Sequence, residues 1–144
     1  MIDWTNPTDQ VSDHFTVNDM CMLHQWNRLA TADDGMDENM QTQLVILAQK
    51  LEQIRSFLQT PMSVHCCFRS HDYNKLISAP PNDVHSMGMA CDFDCNSHLS
   101  TDEVKSRLMP VLEQMGIRME NNGTGASWIH IDTHPVMHAR FFNP

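Results

Sequence analysis

Residues 40–58 place the tightest constraint on this 144-residue chain, because Leu44, Leu47, Leu51, Ile54 and Leu58 recur at alternating three- and four-residue steps. An α-helix turns once every 3.6 residues, so this spacing gathers all five side chains into one apolar stripe that folding must bury. Pro61 sits just past the stripe, and Met62 to Phe68 reads as a short strand.

The remaining elements follow from local signals. Thr16 with Asp19 forms a helix N-cap, with the carboxylate near the first turn. Residues 31–38 are acidic and aperiodic, which predicts a loop. Arg69 to Ile77 reads as a short helix ended by Pro80-Pro81, and Gly88 breaks the chain before a second strand over Met89 to Asp94. Ser100 and Glu103 make a capping-box pattern. The helix they open buries Val104, Leu108, Val111, Leu112 and Met115, is kinked by Pro110, which lacks a backbone donor, and is closed by Gly116. Ile117 to Glu120 and Ser127 to Thr133 then form a hairpin about a polar turn, with position 118 expected to pair with 130. The mixture predicts an α+β fold, a small antiparallel sheet with flanking helices. Length, the lack of repeats and the lack of a Gly/Ser linker predict a single domain over residues 1–144.

Charge narrows the partners. A net charge of −9 repels phosphate backbones and anionic membranes, so no nucleic-acid and no membrane partner is expected. No stretch approaches the roughly 18 apolar residues that cross a bilayer. The first residues, Met1-Ile2-Asp3-Trp4-Thr5, carry neither a basic nor an apolar signal region, so synthesis in the cytoplasm without a secretory signal is expected. The five cysteines, Cys21, Cys66, Cys67, Cys91 and Cys95, are odd in number and irregularly spaced, unlike a disulfide framework. They read as buried reduced thiols; a thiolate metal site or a redox site is the rival reading. The 12 methionines read as core filling.

The chemistry is concentrated in two segments, His85-Ser86-Met87-Gly88-Met89-Ala90-Cys91-Asp92 and Trp128-Ile129-His130-Ile131-Asp132. Imidazole nitrogen and carboxylate oxygen both suit zinc, and a catalytic zinc site takes three protein ligands and keeps one position open. Gly88 allows the turn by which a loop histidine can face a strand aspartate, Ala90 lets the backbone pack close beneath the metal, and His130 arrives from the hairpin.

His-x-x-Gly-x-Ala-x-Asp followed by Trp-Ile-His resembles the zinc D-alanyl-D-alanine carboxypeptidase family, which includes D-alanyl-D-alanine dipeptidases and phage endolysins and shares its metal scaffold with the hedgehog signalling domain. The resemblance extends over most of the chain. Asp13-His14-Phe15-Thr16-Val17-Asn18-Asp19 is similar to the family's opening, Leu51-Glu52-Gln53-Ile54-Arg55 to its first long helix, and Phe68-Arg69-Ser70 with Asn74 to the element before the metal motif. It implies that His85, Asp92 and His130 hold a zinc ion. It also implies that Arg69 receives a substrate carboxylate through its bidentate fork, with Ser70 helping to position the substrate.

The general base departs from the commonest pattern. Many relatives place an acid three residues before the last histidine ligand, where this chain has Ser127. Other relatives carry a glutamate on the preceding hairpin strand, and Glu120 matches it. Strand alternation then puts Glu120 on the face of His130. Asp132 shares that face too, as a reserve base or as a residue that orients an imidazole. His134 has the same parity and is a candidate to line the cleft.

The resemblance thus implies a monomeric zinc peptidase cutting a peptide bond in peptidoglycan stem peptides, of carboxypeptidase or endopeptidase type, delivered to the wall by lysis machinery or a virion. A non-catalytic zinc-binding module on the same scaffold, which the serine at position 127 favours, and a zinc amidohydrolase with another substrate are the alternatives.

Overall fold

A computed structural model describes all residues, Met1–Pro144, and shows an α+β architecture. In chain order the helices are α1 (Val17–Cys21), α2 (Glu38–Leu58), α3 (His71–Leu76), α4 (Thr101–Leu108) and α5 (Leu112–Met115). The strands are β1 (Met22–Leu23), β2 (Arg28–Leu29), β3 (Ser63–Cys66), β4 (Ala90–Asp94), β5 (Arg118–Glu120), β6 (Ile129–Asp132) and β7 (Phe141–Phe142). β1 and β2 form a small hairpin, and the other five make one sheet in the order β3-β4-β6-β5-β7. Its first four strands are antiparallel; β7 adds one parallel pair against β5.

The apolar stripe does what its spacing demands. Leu44, Leu47, Leu51, Ile54 and Leu58 are all buried, α2 starts on an Asp37 cap, and it ends at Gln59 in the left-handed region (φ 56°). Thr16 and Asp19 make a reciprocal capping box at α1. In the acidic segment expected to be a loop, Thr31 and Asp34 do the same for one 3-10 turn. Pro110 divides the predicted kinked helix rather than bending it. α4 stops at Leu108, a 3-10 turn spans Met109–Val111, and α5 closes on Gly116 (φ 69°). Without a donor at Pro110 the α-ladder cannot run through. One consequence is that Val111 and Met115 are only partly buried, while Val104, Leu108 and Leu112 are fully inside.

Strand alternation divides the sheet into two faces. Cys91, Phe93, Met119, Ile129 and Ile131 point into the hydrophobic core that they share with the stripe of α2. Their neighbours Asp92, Glu120, His130 and Asp132 occupy the opposite face. The two central strands pair Asp92 with His130 directly, and β3 sets Cys66 against Asp92 after a bulge following Val64. The hairpin register differs from the expected one: Arg118 pairs with Asp132, not with position 130. The polar turn is longer than the strands allow for, because β6 begins at Ile129 rather than Ser127. The slip is two residues, so side-chain parity is kept, and continuing the register sets Glu120 opposite His130.

Candidate metal centre

His85 lies in the loop between α3 and β4, and is only 2% exposed. The loop is folded back by turn bonds from Gly88 N to His85 O (3.2 Å) and from Met89 N to Val84 O (3.2 Å). Gly88 has φ +70° and packs so tightly on α2 that a Cβ would stand 2.6 Å from Met40 Sδ. Glycine therefore serves both the backbone angle and the close approach.

The two histidines are tethered in the same manner. His85 Nδ1 lies 2.7 Å from the carbonyl of Cys67, which directs Nε2 towards Asp92 Oδ2 at 3.4 Å. His130 Nε2 lies 3.0 Å from Asp132 Oδ2, which directs Nδ1 towards Asp92 Oδ1 at 2.9 Å. Each ring thus has its far nitrogen held by a protein oxygen and its near nitrogen turned to one oxygen of the same carboxylate. Imidazoles that bind metals are oriented in this way. The rings meet edge to face, with centroids 5.2 Å apart.

Burial pushes the Asp92 carboxyl up, but hydrogen bonds and charge from His130 and His85 outweigh it and hold the group well below the usual carboxylate range. Burial likewise pushes His130 down, and bonds to Asp132 and Asp92 overcome it and raise the ring to about 9.

Asp132 is fully buried and saturated. Beyond His130 it accepts from Arg118 Nε (2.7 Å), Arg118 Nη2 (2.9 Å) and the backbone N–H of His134 (3.2 Å). Opposed by burial, the bonds from His130 and Arg118 still lower its pKa. A carboxylate so engaged holds the His130 ring in place. Glu120 is partly exposed, with Oε2 3.9 Å from His130 Nδ1.

Glu120 opens onto a cleft of about 680 Å³ that also receives Arg69, His85, Asp92, His130 and His134. Trp128 and Phe142 form part of its wall. Phe142 stands edge-on to His130 at 6.0 Å and under the Arg118 guanidinium at 4.2 Å, so β7 closes one side of the site. Arg69 Nη2 donates to Asp83 Oδ2 (2.9 Å), while its buried Nε has no partner. Asp83 also accepts from Asn74 Nδ2 (2.9 Å) and Ser86 N (3.0 Å), tying Arg69, α3 and the His85 loop together. Ser70, expected near the substrate, is buried away from this cleft and lines a different hollow. Its Oγ accepts from Tyr73 N (3.1 Å) as the cap of α3, so its hydroxyl is already used by the helix.

Three contributors carry no motif of their own in the sequence, Asp83, Arg118 and Phe142, and a fourth, Cys66, is one of the cysteines of the rival thiolate-site reading. Cys66 Sγ lies 3.6 Å from Asp92 Oδ2, and its donor atom, one from His85 and one from Asp92 lie within 4.8 Å of one another, a group that could hold a metal ion. His130 stands outside that group, held against the other oxygen of Asp92. Strand parity opposite Asp92 was the available signal for Cys66, and Arg118 and Asp132 could have been paired only with the true hairpin register.

Residues 13–132 match the family model described as Peptidase M15. No curated protein and no solved structure matches the chain.

Proposed function

The chain belongs to the peptidase M15 family, and from that premise we propose that it is a zinc peptidase acting on the stem peptides of peptidoglycan, as a carboxypeptidase or an endopeptidase. The observation that carries the reading is the convergence of His85 Nε2 and His130 Nδ1 on the Asp92 carboxylate, each ring tied from behind. Two neutral imidazoles and a carboxylate form a donor set suited to zinc. Bound there, the ion would supply Lewis-acid polarisation of the scissile carbonyl and a water nucleophile active at neutral pH.

The chain's own groups supply the rest. Glu120 Oε2 takes the proton from the attacking water and returns it to the leaving amine nitrogen as the C–N bond breaks. Asp132 accepts the Nε2–H of neutral His130, the tautomer that leaves the Nδ1 lone pair free for the metal, and Arg118 keeps Asp132 charged and immobile. Arg69, fixed by Asp83, receives a carboxylate of the peptide. Trp128 and Phe142 offer apolar wall for the substrate's aliphatic parts.

Digestion of purified peptidoglycan, read by mass spectrometry of the released fragments, tests this function. The zinc-loaded protein is expected to shorten or open stem peptides, and both chelation and Glu120→Gln should stop it. A zinc-loaded protein that leaves peptidoglycan intact would instead identify a non-catalytic metal-binding module or a hydrolase with another substrate.

A further inference from the structure

Four of the five thiols, Cys21, Cys67, Cys91 and Cys95, belong to the apolar core; Cys66 does not. Alternation at the end of β3 turns Cys67 inward and Cys66 towards the functional face, where β-pairing sets it against Asp92. The distances among Cys66, His85 and Asp92 match three corners of a coordination polyhedron; His130, outside that group, would have to move inward to complete it. Tetrahedral zinc, with bonds of about 2.0 Å to nitrogen and oxygen and about 2.3 Å to sulfur, separates N from O by about 3.3 Å and O from S by about 3.5 Å. Here Asp92 Oδ2 lies 3.4 Å from His85 Nε2 and 3.6 Å from Cys66 Sγ.

Building on the zinc reading above, we propose that Cys66 is a fourth protein donor to the metal centre, its thiolate taking the position that a catalytic zinc site leaves to water. The thiol proton passes to solvent, one sulfur–metal bond forms and one water leaves, with no change of oxidation state. A site with four protein donors is closed, so the zinc-loaded chain turns over slowly, each cycle requiring the sulfur to give its position back to water. The donor set also becomes softer, favouring zinc, cobalt and cadmium over magnesium and calcium.

Cobalt(II) substitution of the whole protein tests this. The wild type should bind one equivalent and show a near-ultraviolet thiolate-to-cobalt charge-transfer band together with visible d–d bands. Cys66→Ala should lose the charge-transfer band and keep the d–d bands, which report that the site is still folded and loaded. Cys66→Ser, the near-isosteric change, should behave in the same way, and Cys95→Ala should keep both features. Stoichiometric cobalt without a charge-transfer band in the wild type, or a band that survives in Cys66→Ala and Cys66→Ser, would overturn the role of Cys66 and leave the histidine–aspartate centre standing. Failure of the wild type to bind cobalt or zinc at all would overturn both.

Discussion

Asp132 is buried and already accepts bonds from Arg118, His130 and the backbone of His134, whereas Glu120 faces the cleft with its carboxylate near Nδ1 of His130. Different substitutions should therefore have different effects. Glu120→Gln keeps the shape and removes the basicity, so it should hold zinc yet lose about 100-fold or more in turnover. Asp132→Asn should act mainly on the metal, weakening zinc affinity about 10–100-fold, because it removes the charge that orients His130. Near-normal turnover of Glu120→Gln beside a zinc-loaded, dead Asp132→Asn would reverse the two roles; paired metal titrations and steady-state rates decide it. At this scale the sequence was legible in placement, since His85, Asp92, His130 and Glu120, set in an ordered motif or on one strand parity, come together at one cleft. It was silent where a residue acts through a partner distant in the chain. Asp83, fourteen positions from Arg69, and Arg118 beneath Asp132 look like ordinary charged residues until the fold pairs them. Ser70 shows the converse: a residue in a family-like motif whose hydroxyl is committed to capping a helix.

The elements that deliver these residues were legible to the extent that their signals were local. The stripe of α2, the caps at Thr16 and Ser100 and the stop at Gly116 each depend on residues within a turn or two, and each forms as its chemistry requires. Register is different, since it depends on which strand residues meet across a loop. The hairpin slipped by two positions relative to expectation, and only the period of two kept Glu120 beside His130. β1, β2 and β7 were not legible at all, because two-residue strands carry no period. The His85 loop gives a prediction at this scale. Gly88→Ala would force a side chain into the left-handed region, at about 1–2 kcal/mol, and push its Cβ against Met40 Sδ. Its denaturant midpoint should fall and, because His85 sits three residues earlier on the same turn, its zinc affinity should fall too. An unchanged midpoint with unchanged affinity would mean that the close packing of this loop on α2 does not position the site.

In the whole molecule, the α+β scaffold places a charged site on one side of a sheet whose other side is core, so the metal and the fold should be linked. Zinc that binds only the folded chain stabilises it by about 4 kcal/mol at a thousandfold excess over its dissociation constant, and chelation should lower the thermal midpoint accordingly. The pH dependence of the metal-free protein follows from two groups. His130 is raised from 6.5 to about 9, so its contribution is complete below about pH 6.5 and is lost as pH rises through about 9. Asp92 is lowered from 3.8, so its contribution is present above about pH 4 and is lost as pH falls through its folded value. Metal-free stability should therefore be greatest between about pH 4 and 6.5. Apparent zinc affinity should instead rise with pH up to about 9, about tenfold per unit for the His130 proton and more steeply where the Cys66 thiol also gives one up. Calorimetry of Cys66→Ala, which has no thiol proton to lose, in buffers of different ionisation enthalpy should detect the His130 proton; binding without proton release near pH 7 would contradict a charged His130 in the metal-free site. A metal held by His85, Asp92 and His130 underlies each of these effects, and anomalous diffraction at the zinc edge from crystals of the zinc-loaded protein tests it most directly. One peak per chain is expected, within about 2.0–2.2 Å of His85 Nε2, His130 Nδ1 and an Asp92 oxygen. No peak there, or a peak whose protein donors exclude either histidine, would contradict it.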